Sequence, residues 1–106
     1  MDTTAPVDPA AAPLRLAEEL SIYTVGGLRA EWLAWLDAQR DAARIDAAAV
    51  GQVDAAGVQL LASLVRALEA RAIGWHLFDV SGPLSDALRT LGLHAWTLPP
   101  TASNGS

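Results

Sequence analysis

Apolar positions along this chain fall into short runs, and their period changes from one run to the next. Leu14 to Glu18 and Leu20 to Thr24 read as two short strands, the second alternating Leu20, Ile22 and Tyr23 imperfectly with polar residues. Leu28, Trp32, Trp35 and Leu36 then form a stripe at helical spacing, extended by Gln39, which predicts a helix over about 27–40. Ile45 to Val50 reads as a buried strand, although Ala47, Ala48 and Ala49 favour a helix on propensity alone. Val58, Leu61, Leu64, Val65 and Leu68 mark the inward face of a second helix, from about Ala55 to Arg71. Gly74 marks its end region. Trp75 to Val80 is the stretch richest in β-formers. Ser81-Gly82-Pro83 reads as a turn, and Pro83 suits the first turn of a third helix that runs to Leu91. Gly92 stops that helix as its C′ residue, and Ala95 to Leu98 reads as a last short strand. Strands alternating with helices across short connections predict an α/β domain with a mixed sheet.

Composition narrows the function classes. A chain of 106 residues suits one small domain, with Pro-rich residues 1–13 expected as a disordered arm and 99–106 as a flexible tail. The domain proper is expected over 14–98. A net charge of -5 without a basic cluster argues against binding nucleic acid through phosphates. The absence of Cys removes disulfides, thiolate metal sites and Cys nucleophiles. No apolar run approaches the roughly 20 residues of a membrane span, and the N-terminus lacks the pattern of a signal peptide. A cytoplasmic protein is the simplest expectation.

The segment from Val53 to Leu61 carries the candidate site. Asp54 stands where the second helix begins, as an N-cap whose carboxylate accepts orphan backbone N–H groups. Ala55 and Ala56 offer no nucleophile, acid, base or ligand, but their small side chains permit close approach by another backbone. Gly57 serves either that approach or packing within the fold. With Gln59 and Ser63 on the exposed side of the helix, Asp54, Ala55, Ala56 and Gly57 make a candidate partner-binding surface rather than a catalytic one.

Three segments together resemble the STAS domain, a family of bacterial anti-sigma-factor antagonists and transporter-associated regulatory modules. They are Leu20 to Thr24 with Leu28 and Arg29, Ile45 to Gly57, and Asp79 to Leu93. The resemblance covers roughly 14–98. It implies a single α/β domain with a mixed four- to five-stranded sheet and about three helices. In members switched by phosphorylation, a Ser or Thr accepts phosphate at the position held here by Ala56. A second acidic position of that pattern falls at Ser21. Asp54 is retained. The resemblance therefore implies a non-enzymatic signalling protein without the usual phosphate switch. Its partner would be an anti-sigma factor or another protein with a kinase-like ATPase domain. An alternative is an accessory subunit bound to the ATPase of an ABC-type phospholipid transporter. The Ile-Tyr-Thr entry is also similar to small STAS proteins of chemotaxis clusters.

Other residues have plainer readings. Ser81 is expected to cap the third helix, and Ser85 to be a solvated first-turn residue. His76 and His94 lack companions at metal spacing, so no metal or cofactor is expected. An enzyme would need a pocket joining Asp54 to His76, and nothing in the sequence indicates one. Trp35 and Trp75 are expected in the core, with Trp32 and Trp96 divided between core and interface. Asp37, Arg40, Asp41 and Arg44 read as a solvated, locally paired surface.

Overall fold

The structure, a computed structural model, describes residues 12–97. Five short strands and three helices follow in the order β1 (Leu14–Arg15), β2 (Glu19–Leu20), α1 (Val25–Asp37), β3 (Ala42–Asp46), β4 (Gln52–Val53), α2 (Ala55–Ala70), β5 (Gly74–Phe78) and α3 (Gly82–Thr90). A 3-10 turn over His94–Thr97 ends the described chain. The arm and tail expected at the two ends fall almost wholly outside the described residues.

All three strand pairings among the described residues are parallel. β3 lies between β1 and β5, and β2 pairs with β4. Parallel neighbours need crossovers, and α1 and α2 supply them. The two ladders are one seam interrupted by a bulge. Leu14 is in register with Ile45, whereas Leu20 is in register with Val53, so the offset grows by two residues between them. The extra length lies in the turn at Ala48 and Ala49. Asp46 Oδ1 accepts the Ala48 N–H at 3.0 Å, and Glu18 O accepts the N–H groups of Gly51 and Gln52 beyond the turn. This corrects the strand expected over Ile45 to Val50. The ladder instead starts earlier, at Ala42, turns at the alanines and resumes as the unforeseen β4.

One face of the sheet makes the core. Ile45 and Leu77 are in register and buried. Over them α2 lays Val58, Leu61, Leu64, Val65 and Leu68, α1 adds Trp32 and Leu36, and α3 adds Leu84 and Leu88. The alternate positions carry Arg44, Asp46, His76 and Phe78. There the Arg44 guanidinium lies 5.5 Å from the Phe78 ring centre, and the His76 ring lies 6.0 Å from it.

The helix ends follow local chemistry. Ser81 caps α3 by accepting the Leu84 N–H at 3.3 Å. Gly92, at φ 78°, closes that helix with Leu93 N–H donating to Leu88 O and Gly92 N–H to Arg89 O. The same closure ends α2, with Ile73 N–H donating to Leu68 O and Ala72 N–H to Glu69 O. There the left-handed position is Ala72, at φ 57°, and Gly74 already belongs to β5.

Several expectations are corrected. Leu20 to Thr24 is not a strand: only Glu19–Leu20 pairs, and Ser21 to Thr24 turn directly into α1, which starts at Val25. Ser21 O accepts the N–H groups of both Thr24 and Val25, which winds the chain before a strand can extend. The strand expected over Ala95 to Leu98 is the 3-10 turn, and Leu98 lies outside the described residues. Trp32 is the deeply buried tryptophan, whereas Trp35 and Trp75 are half-buried. Their indole N–H groups need acceptors, which they find in Ala12 O at 3.1 Å and Glu69 Oε2 at 3.2 Å. Trp96 stands edge-on to Trp75 at 5.6 Å. Among the described residues no ion pair joins Asp37, Arg40, Asp41 and Arg44 to one another, and Arg40 reaches the Asp37 and Gln39 carbonyls instead. Asp37 meets Arg71 of the α2 end at 3.1 Å.

Candidate functional site

Asp54 joins two elements that are far apart in sequence. Its backbone is extended, and Oδ1 accepts the Gly57 N–H at 3.0 Å, which caps α2. Its Oδ2 accepts the Ile22 N–H at 3.0 Å, which fixes the turn between β2 and α1. The backbone adds a third tie, Asp54 N–H to Leu20 O at 3.1 Å. The Ile22 N–H, and after it the Gly57 N–H, hold the Asp54 pKa below its ordinary value.

The turn so fixed is apolar and open to solvent. Ile22 is 63% exposed and Tyr23 is 89% exposed. Beneath them Ser21 is buried, its hydroxyl donating to Glu19 Oε2 and accepting the Tyr23 N–H at 3.1 Å. Thr24 Oγ1 accepts the Ser21 N–H and donates to Glu19 O, both at 3.0 Å. The two exposed apolar side chains thus stand on a turn whose four backbone N–H groups, from Ser21 to Thr24, are all bonded within the molecule. Hydrophobic alternation predicts them as strand residues, outside the site. The available signal was Ser21 and Thr24 flanking two apolar residues ahead of Gly26-Gly27, a turn pattern rather than strand alternation.

The residues assigned from the sequence separate on α2. Ala55, Gln59 and Ser63 are exposed, on one side of the helix, and Ala56 is half-exposed in its first turn. Ser63 Oγ accepts from Arg66 Nη2 at 3.3 Å. Gly57 faces inward and is buried. A Cβ there would fall on the Leu20 carbonyl oxygen and within 2.7 Å of Leu20 Cβ. Gly57 therefore lets α2 approach β2, and it presents nothing to a partner. The candidate site is a platform made of the Ile22-Tyr23 turn, the Asp54 carboxylate that pins it, and the exposed side of α2. His76 is apart from it, on the outer sheet face.

The domain thus presents a capped helix start beside a pinned, exposed turn. The family model described as "Mlab, STAS domain" matches residues 4–100. The structure resembles that of the anti-sigma factor antagonist SpoIIAA in its unphosphorylated form, with a TM-score of 0.65 and 26% identity over 83% of this chain and 77% of that one. No curated protein matches the chain significantly. The chain belongs to the STAS domain family.

Proposed function

We propose that this protein regulates a partner by docking the Ile22-Tyr23 turn and the exposed side of α2 against it, without catalysing a reaction. The observation that carries this reading is the Asp54 carboxylate holding the exposed turn against the helix start. Pre-fixing a binding surface lowers the ordering cost of association. The likeness to an anti-sigma factor antagonist supports an anti-sigma factor, or a related protein with a kinase-like ATPase domain, as that partner. With Ala56 at the family's acceptor position, the surface stays competent to bind whatever the state of a kinase. Placement in transcription or chemotaxis follows from the partner, as does a cytoplasmic location. Among the described residues no helix is long and apolar enough to cross a membrane.

A second reading is an accessory subunit bound to the ATPase of an ABC-type phospholipid transporter. The matching family model favours keeping it, since its description, "Mlab, STAS domain", does not name an anti-sigma factor antagonist. The same surface would serve, in a lasting complex rather than a transient one.

The test is Ala56→Asp, titrated against an anti-sigma factor with a kinase-like ATPase domain and against an ABC-type ATPase subunit from the same genome. An acid in the first turn of α2 suits the helix dipole, so folding is retained. At an interface the new carboxylate loses water without a partner, which weakens binding by about 2 kcal/mol, roughly thirtyfold. Circular dichroism controls for folding. Undiminished binding by the folded variant places the functional surface elsewhere. Co-purification of a stable ATPase complex selects the transporter reading.

A further inference from the structure

Helices α1 and α2 leave an apolar groove of about 240 Å³ between them. Trp32, Leu33, Leu36, Leu60 and Leu64 line it, together with the exposed Arg29 and Ser63. The volume is below the roughly 300–1,000 Å³ of small-molecule sites, and suits inserted side chains better than a free ligand. Leu33 is 47% exposed, an uncovered leucine at the groove's edge.

Charge distinguishes this groove from the rest of the surface. The protein carries a net charge of -5, and no carboxylate lines the groove. Arg15, Arg71 and Arg89 face carboxylates. Arg44 is held over Phe78, and Arg40 donates to backbone carbonyls. Among the described residues, Arg29 has no polar partner, and Arg66 has only the Ser63 hydroxyl. Arg29 lines the groove, and the Arg66 guanidinium, which also borders the opposite groove, reaches its edge through the Ser63 hydroxyl, so the charge at that edge is basic on an acidic protein. The opposite groove, between α2 and Trp96, has Glu69 beside Arg66 and no such bias.

The backbone groups along both walls are paired within their own helices. A partner can therefore add no backbone hydrogen bonds there, and must be read through its side chains. An amphipathic helix, whose own backbone is already satisfied, is the segment that fits such a groove.

We propose that the α1–α2 groove receives an acidic amphipathic helix of the partner protein, with leucine-sized side chains inserted and carboxylates meeting Arg29 and Arg66. This rests on the docking reading, since Ser63 belongs to both surfaces, and it names the partner's chemistry.

The probe is a synthetic helical peptide with leucines one helical turn apart flanked by glutamates, compared with its lysine counterpart. Both are titrated into the full chain, and methyl NMR follows Leu33, Leu36, Leu60 and Leu64. The acidic peptide is expected to shift these resonances and bind more tightly than the lysine one, with the preference falling about tenfold in Arg29→Glu. Equal binding of both peptides, or shifts outside the groove only, overturns the proposal. So does a groove whose resonances move with protein concentration alone, which marks a second copy as its occupant. Against the ATPase-domain partner that the docking test identifies, binding lost in Ala56→Asp but kept in Arg29→Glu overturns the groove and leaves the docking surface standing. Binding kept in Ala56→Asp but weakened in Arg29→Glu overturns the docking surface and supports the groove.

Discussion

Asp54 and Ile22 lie 32 positions apart in the chain and are joined by one hydrogen bond, Ile22 N–H to Asp54 Oδ2, at 3.0 Å. The other oxygen of the same carboxylate caps α2 through Gly57. One side chain therefore sets both the start of a helix and the position of the exposed turn beside it. Loss of Asp54 is expected to disturb two elements at once, which an ordinary cap does not do.

The bond has a pH signature. The backbone donors hold the Asp54 pKa below its unfolded value. A depressed carboxylate contributes stability that is present above the unfolded pKa, about 3.9, and is lost as pH falls through the folded value. Thermal melts of the protein and of Asp54→Asn should therefore differ by a constant amount from pH 7 to about pH 5. The difference should shrink below about pH 4. A gap that persists unchanged to low pH would show that the charge of Asp54 plays no part.

Glycines divide into those the packing needs and those it does not. Gly57→Ala sets a Cβ against the Leu20 backbone and is expected to cost about 3 kcal/mol or to displace α2. Gly26 and Gly27 sit in the first turn of α1 with nothing within 4 Å of an added Cβ. Gly26→Ala and Gly27→Ala are each expected to stabilise the fold by about 0.5 kcal/mol. Urea denaturation of the three variants checks both signs.

The two matching helix closures invite a swap. Ala72 holds the left-handed position after α2, where a Cβ is unfavourable by roughly 1 kcal/mol. Ala72→Gly should raise the melting temperature, and Gly92→Ala should lower it. Opposite shifts in calorimetry are the expected outcome.

The exposed turn separates folding from binding. Ile22→Ser and Tyr23→Ser remove apolar surface that the fold leaves in solvent, so stability should move by less than about 0.5 kcal/mol. If the turn docks a partner, the double variant should weaken that complex by about tenfold or more. Isothermal titration against the ATPase-domain partner, with a melt as control, measures both.

What the sequence determined by itself was local. The period of Val58 to Leu68 located α2 from Ala55 to one residue past its end at Ala70. Asp54, Ser81 and Gly92 were readable as a cap, a cap and a stop because each acts on backbone groups within four residues of itself. With the three segments that resemble the STAS pattern, this was enough for the fold class. Tertiary structure decided the rest. The alanines at 47–49 carry no pattern that distinguishes a strand from a bulge, and only the pairing of β2 with β4 turns the chain there. Trp32 and Trp35 share one helical stripe, and the packing of α1 on α2 decides which is buried. Ile22 and Tyr23 look like strand residues until the Ser21 carbonyl and the Asp54 carboxylate wind them into an exposed turn. Periodicity encodes which face of an element is apolar. It does not encode a hydrogen bond to a residue 32 positions away, and that bond builds the candidate surface.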